Sequence, residues 1–491
     1  MNELGINLDP HSDKPLYMQI YEYLRDSIRR GELGRNDRLP SSRALSGFLG
    51  ISRSTVETAY DQLLSEGYIV TRKNRGCFVC GIDNLYDLGT PEKAGGRVAE
   101  EEAAGSASGR GKAGSEPRFI DFSPRAIDMT KFPYETWRRL SRNIMMNADP
   151  EMFSLGEPNG DLSFRRTIAR YLHLSRGVEC DPENVVIGAG NDYLLMLLRM
   201  ILGEGRRIGM EYVSYARAAR IFRTMSYTVC PLSMDGSGMK AEALEENGCD
   251  LAYVMPAHQY PSGITMPIAR RMELLAWAGS APGRYLIEDD YDSEFRYRGR
   301  PIPPLQASDR CGRIIYIGTF SKSIAPAIRV SFMVLPQELM QVFRDRCGFF
   351  SSTVSRIDQK LLDAFLCEGY FERYLNRMRN LYRTKQELMR KELRSFESGF
   401  ALHGEDAGLH VLLEERTEAM QGPEGAEGCA ERERELVQRA CAEGVRVYPM
   451  SENRIGNVPA GQLLRPTILL GFAALDAEEI VKGVGLLRKA W

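Results

Sequence analysis

No stretch of this 491-residue chain approaches the roughly 20 consecutive apolar residues that a membrane-spanning helix requires. The opening residues, Met1-Asn2-Glu3-Leu4-Gly5, lack the basic start and apolar core of a secretory signal, so a cytoplasmic location is expected. A dense cysteine framework is missing too: the 10 cysteines are scattered over a long chain, which argues against a disulfide scaffold. Cys77-Phe78-Val79-Cys80 has neither a second pair nor neighbouring histidines. It reads as two cysteines on a short strand rather than a zinc site, and no metal site is expected. Charge of one sign is not in excess either. The 64 basic and 66 acidic residues leave a net charge of −2, so any affinity for nucleic acid must come from a local patch. Internal repeats are absent. What remains, 43% hydrophobic and 26% charged residues, is the composition of a soluble globular chain long enough for two or three domains.

Composition shifts divide the chain. Residues 12–81 are dense in helical patterns. Residues 82–117 are small and charged, with little to bury, and read as a flexible linker. From 118 to 491 short apolar runs alternate with helical stretches. Val185-Val186-Ile187, Leu251 to Met255, Tyr285-Leu286-Ile287 and Ile314 to Ile317 read as buried strands, separated by helices such as Tyr193 to Ile201 and Ala269 to Ala278. This rhythm predicts an α/β domain with a mostly parallel sheet. Leu409 to Leu413, Val445 to Tyr448 and Thr467 to Leu470 add strands for a smaller C-terminal α+β subdomain.

In the first segment, Tyr17, Ile20, Tyr21, Leu24 and Ile28 share one helical face that ends at Gly31. Ser41 is placed to cap a second helix that Gly50 breaks, and Ser52 opens a third that stops at Gly67. Helix, short glycine-containing turn and helix form a helix-turn-helix pattern, and Tyr68 to Val79 folds into a hairpin wing. Ser52, Arg53, Ser54 and Thr55 sit on the turn that would face base edges. Ser41, Ser42 and Arg43 open the supporting helix where a DNA phosphate would lie, and the wing tip adds Arg72, Lys73 and Arg75. A small helical domain with a basic surface is the plainer alternative. Arginines at both helix starts and in the wing favour DNA binding.

In the third segment, Gly318-Thr319-Phe320-Ser321-Lys322 follows an apolar strand, and Arg329 lies seven residues on. A lysine among hydroxyls with a second cation nearby suits a Schiff base beside a phosphate. Gly188-Ala189-Gly190-Asn191-Asp192 links a strand to a helix and offers free amides to an anion. Glu288-Asp289-Asp290-Tyr291-Asp292 delivers carboxylates at another strand end, where ligands of open α/β sheets bind. Taken alone, that acidic burst would suit a divalent metal. Beside the lysine, a buried aspartate suits the ring nitrogen of a pyridine cofactor.

Pro15-Leu16-Tyr17, Leu39-Pro40-Ser41-Ser42-Arg43, Leu49-Gly50-Ile51-Ser52-Arg53 and Glu66-Gly67-Tyr68 resemble a GntR-type winged helix-turn-helix. The wing departs from that pattern, with Asn74-Arg75-Gly76-Cys77 where Gly-Ser-Gly-Thr is usual. Glu288 to Phe295, Pro301-Ile302-Pro303, Gly318 to Lys322, His258 to Gly263 and Leu470 to Ala473 resemble fold-type I aminotransferases dependent on pyridoxal 5'-phosphate (PLP). Together they are similar to the MocR subfamily of GntR regulators, which includes GabR-like and PdxR-like proteins. The resemblance implies an internal aldimine at Lys322, Asp289 at the pyridine nitrogen, Tyr291 at the ring hydroxyl and Tyr215 stacked on the ring. It places Gly190, Asn191, Thr319 and Arg329 at the phosphate, and Arg217 and Arg465 at the carboxylate of an effector. It implies a head-to-tail homodimer in which one subunit's head lies against the other's large domain. The expected function is a transcriptional regulator whose operator binding responds to PLP and to an amino-acid-like effector forming an external aldimine. The alternative is an aminotransferase with an accessory DNA-binding head.

Overall fold

The computed structural model describes residues 6, 8–9, 12, 14–34, 36–72, 76–80, 119–297 and 302–491. The expected linker, residues 82–117, and the wing residues Lys73 and Arg75 lie outside the described residues.

The head is built by local signals. Helices α1 (Leu16–Arg29), α2 (Ser42–Leu49) and α3 (Arg53–Glu66) pack Ile20, Leu24, Val56 and Leu63 into a fully buried centre. Ser41 caps α2 by accepting from the Ala44 amide at 3.1 Å, and Ser52 caps α3 by accepting from Thr55 at 3.2 Å. Each such cap contributes about 1 kcal/mol. Gly50 and Gly67 end the two helices in the left-handed conformation. Strands β1 (Ile69–Arg72) and β2 (Gly76–Val79) pair antiparallel as the wing.

The large domain centres on seven strands: β3 (Val185–Gly188), β4 (Arg207–Glu211), β5 (Thr228–Leu232), β6 (Leu251–Val254), β7 (Tyr285–Asp290), β8 (Ile314–Thr319) and β9 (Ser331–Val334). Their order is β3-β9-β8-β7-β6-β4-β5. Most neighbours run parallel, as expected, but β9 runs antiparallel to both β3 and β8. Helices cover both faces, which is why β6, β7 and β8 are buried along their whole length. The C-terminal subdomain holds four antiparallel strands, β10 (Phe400–His403), β11 (His410–Glu415), β12 (Tyr448–Pro449) and β13 (Thr467–Gly471), in the order β10-β11-β13-β12. The single strand expected over Val445 to Tyr448 is split: Val445–Arg446 pairs with Ile120–Asp121, and only Tyr448–Pro449 joins the small sheet.

The head rests on the large domain through the end of α3. Gly67 lies against Pro267, where an added Cβ would approach within 2.6 Å of the proline Cβ. Glu66, buried and held by Tyr21 at 2.7 Å, feels the charge of buried Arg271 across this contact.

Candidate functional site

The parallel strands β3, β7 and β8 end on one side of the sheet, and antiparallel β9 begins there. That topology gathers Gly190, Asp289, Thr319 and Arg329 from positions far apart in sequence, at the strand ends where open α/β sheets bind ligands.

The lysine comes from the turn after β8. Thr319 caps a short helix by accepting from the Ser321 amide at 3.1 Å, and Lys322 follows within that helix. Its Nζ donates to the carbonyls of Pro124 and Arg125, each at 3.1 Å. Burial is the main cause that lowers its amine to about 8, and the Arg125 charge adds to it while Asp292 opposes it. Such an amine is far more often neutral near physiological pH than an exposed lysine, as a nucleophilic amine must be.

Asp289, at the end of β7, is buried. It accepts a short hydrogen bond from the Tyr253 hydroxyl and a longer one, 3.3 Å, from Asn191 Nδ2. Burial pushes its carboxyl up to about 7, with the Asp290 charge acting in the same direction. A cation brought against it would restore the ionised form, so this carboxyl fits a protonated ring nitrogen. Asn191 is the first residue of helix α4 (Asn191–Leu202). Its side chain is committed to Asp289 and to Ser331 Oγ, 2.7 Å from Asn191 Oδ1. The same Ser331 hydroxyl lies 2.9 Å from Thr319 Oγ1, tying three strand ends together. The Asn191 contribution to an anion is therefore its backbone amide at the helix start.

Arg329 reaches this point in the left-handed region, φ +51°, unusual for a residue with a Cβ. Gly190 sits at φ +88°, and a Cβ there would come within 2.5 Å of the Arg329 guanidinium. Glycine is required both by the backbone and by the close approach of the arginine. Asp192 pairs with Arg329 at 3.4 Å and with Arg217 at 4.0 Å, so one carboxylate is shared by two cations. A cradle of this kind fits a phosphate: amides at a helix start, a guanidinium and neighbouring hydroxyls. Among the described residues, buried Ser321 Oγ finds no hydrogen-bond partner.

Tyr215, Tyr260 and Tyr291 form an aromatic wall. Tyr260 stands edge-on to Tyr215 at 6.4 Å and to Tyr291 at 6.1 Å. Burial pushes the Tyr215 phenol up to about 12. The Tyr291 hydroxyl lies 3.0 Å from His258 Nδ1, which also meets Asp292 at 3.0 Å, so a buried histidine and aspartate fix the orientation of this tyrosine.

Arg465 is not brought to this cluster. It lies two residues before β13, bonded to Glu414 at 3.3 Å and to the Thr417 carbonyl at 3.1 Å. The opposite end of β13, Gly471, packs on Pro124 beside Lys322. Six residues of extended chain separate the two, roughly 20 Å. Arg465 lines instead a cleft of about 980 Å³ that also includes Ser262, His403 and Gly404.

In the head, Ser41, Arg43, Ser52, Arg53 and Ser54 are exposed together on one surface, with Ser42 and Thr55 partly exposed among them. Glu57 links the two helix starts, accepting from Ser42 Oγ at 3.2 Å and from Arg53 Nε at 2.8 Å. Arg72 lies over the Phe78 ring at 4.5 Å, so it stiffens the wing. Tyr253, Ser331 and Arg125 carried no signal in the sequence, and Asp192, His258 and Asp292 stood in quoted motifs without an assigned role.

Comparison with known proteins follows this division. Residues 16–79 match the family described as bacterial regulatory proteins, gntR family, and residues 128–482 match aminotransferase class I and II. The chain is 36% identical to the regulator YdeL of Bacillus subtilis, across 98% of this chain and 97% of that protein. It is 33% identical to the probable rhizopine catabolism regulatory protein MocR of Rhizobium meliloti, across 99% and 95%. The chain belongs to the MocR-type GntR regulators. Within that family it is also 33% identical to the pyridoxine biosynthesis regulator PdxR of Corynebacterium glutamicum, across 84% of this chain and 86% of that protein. Among solved structures, the large domain superposes on kynurenine aminotransferase of Pyrococcus horikoshii, with a TM-score of 0.62 and 23% identity over 76% of this chain and 90% of that one. The MocR-type architecture thus pairs a winged head with an aminotransferase fold, and in this chain the cluster around Lys322 lies within that fold.

Proposed function

We propose that this chain is a transcriptional regulator that binds operator DNA through its head and PLP through its large domain. The observation that carries the reading is the meeting of Lys322, Asp289 and Arg329 at one end of the sheet, in a chain whose head also exposes Arg53. When bound, PLP supplies an aldehyde for the lysine amine and an electron-withdrawing ring. Asp289 would hold the ring nitrogen, and Tyr291, steadied by His258, would face the ring hydroxyl. Tyr215 would lie against the ring. Gly190, the Asn191 amide, Thr319 and Arg329 would hold the phosphate. Arg217, beside Asp192, would lie near the carboxylate of an amino-acid-like effector. Among the described residues no helix is long and apolar enough to cross a membrane, and the regulator is taken to act in the cytoplasm.

The working unit is a head-to-tail homodimer in which one subunit's head lies against the other's large domain. The contact of Gly67 with Pro267 can form within one chain or between two with the same surfaces. Ligand state would shift how the two heads are presented to their half-sites. The test is an absorbance titration with PLP for wild type and Lys322→Ala, followed by operator binding with and without PLP. Lysine-dependent absorbance and a PLP-dependent operator affinity are expected. A wild type with no such absorbance would remove the cofactor reading.

A further inference from the structure

Lys322 is held by the backbone of one segment, through the carbonyls of Pro124 and Arg125. That segment is fixed by Gly471, where an added Cβ would come within 2.6 Å of Pro124 Cα. Arg125 therefore enters the cleft beside the lysine from the side of the small domain. Its guanidinium lies against the Tyr260 hydroxyl. Its charge also reaches Tyr215 and Lys322. Tyr260 is the middle member of the aromatic wall, so Arg125 borders the side chains that would flank a cofactor ring.

Of the other arginines, Arg329 belongs to the phosphate cradle, Arg217 shares Asp192 with it, and Arg465 is paired with Glu414 in a different cleft. Arg125 is exposed and forms no ion pair among the described residues. An arginine fixed at its backbone, next to a reactive amine and without an acidic partner, is placed to receive a planar anion.

We propose that Arg125 anchors the carboxylate of a primary-amine effector, and so selects amino acids over simple amines at the Lys322 cleft. The inference rests on the cofactor reading above. It gives Arg125 the place that the sequence resemblance assigned to Arg465.

The test uses the PLP-loaded full-length protein and three probes with one skeleton: L-alanine, β-alanine and their common decarboxylated amine, ethylamine. The absorbance change on titration gives an apparent affinity for each. A charge-assisted bond to the carboxylate predicts that wild type prefers at least one amino acid over ethylamine by about tenfold or more. Arg125→Leu is expected to erase that preference, read as each amino acid's affinity relative to that for ethylamine, while keeping the lysine-dependent absorbance. Arg125→Lys is expected to restore part of it. Calorimetry with propionate, which has no amine, should show binding to wild type and its loss in Arg125→Leu. A wild type that treats the three amines alike, or takes none of them, overturns the inference, as does an Arg125→Leu protein that keeps the preference. A wild type that never develops lysine-dependent absorbance overturns the cofactor reading and this inference with it.

Discussion

Replacing Gly190 with alanine separates two effects that the structure places on one residue. The backbone at φ +88°, ψ 166° is a conformation essentially confined to glycine and costs a residue with a Cβ about 1–3 kcal/mol. The new methyl would also stand 2.5 Å from Arg329 Nη2 and 2.7 Å from its Cζ, so the guanidinium must move by about 1 Å to reach van der Waals contact. Arg329 starts 3.4 Å from Asp192 and would be displaced from the anion cradle. A charge-assisted hydrogen bond contributes about 1.5–3 kcal/mol, so PLP affinity should fall by roughly ten- to hundredfold. Gly203 is the control. It has nearly the same backbone, φ +85°, and nothing within 4 Å of an added Cβ. Urea unfolding should show a loss of about 1–3 kcal/mol for Gly203→Ala and at least as much for Gly190→Ala. Fluorescence titration with PLP should show weakened binding only for Gly190→Ala. If Gly203→Ala lost as much PLP affinity, or Gly190→Ala lost none, the argument that glycine at 190 makes room for Arg329 would fail.

Lys322 should react with an amine reagent such as trinitrobenzenesulfonate with a midpoint near pH 8, followed residue by residue by mass spectrometry; a midpoint near 10.5 would show an ordinary solvated lysine. The sign carries over to stability. Because burial lowers the folded value, the unfolded chain binds more protons between about pH 8 and 10.5, so Lys322 weakens folding least above that window. Lys322→Met is therefore expected to be more stable than wild type at pH 7, by a margin that shrinks as pH rises. Arg53→Ala should weaken operator binding by about 1–3 kcal/mol in an anisotropy titration, since its exposed pair with Glu57 adds little to folding; unchanged affinity would remove it from the base-reading face. Asp290→Asn should destabilise the large domain by about 3–5 kcal/mol in chemical denaturation. It leaves Arg176 buried without its partner, now at 2.6 Å with both side chains 2% exposed. A loss under 1 kcal/mol would refute that accounting.

The head was legible because its signals are local. A serine that accepts from an amide three residues on, or a glycine that ends a helix at positive φ, needs no distant partner. Strands β6, β7 and β8 were legible because burial on both faces demands an unbroken apolar run. Arg207 to Glu211 and Thr228 to Leu232 escaped for the opposite reason. The first carries charges at both ends of a five-residue run. The second contains Pro231, which an edge strand tolerates and a central one does not. Antiparallel β9 was equally hidden, since a four-residue strand gives no sign of its direction.

The site divides in the same way. Lys322, Asp289 and Gly190 stand where an apolar strand gives way to polar residues, a change visible along the chain. Their supports depend on which strands become neighbours. Tyr253 reaches Asp289 across 36 residues, Asn191 reaches it across 98, and the Arg125 carbonyl meets Lys322 across 197. Tyr253 and Arg125 have no local signature, and Asn191 reads only as a helix start, because a side-chain partner across the sheet is invisible until the strand order supplies it. Arg465 shows the converse. A family position places it near an effector, while strand geometry carries it about 20 Å along β13 from the lysine, into an ion pair with Glu414. Positions read from strand ends therefore survive folding better than positions read from spacing outside a motif. For the same reason the residues that tune this cleft, Arg125 among them, are found only once β8 and β13 are known to deliver their ends to one place.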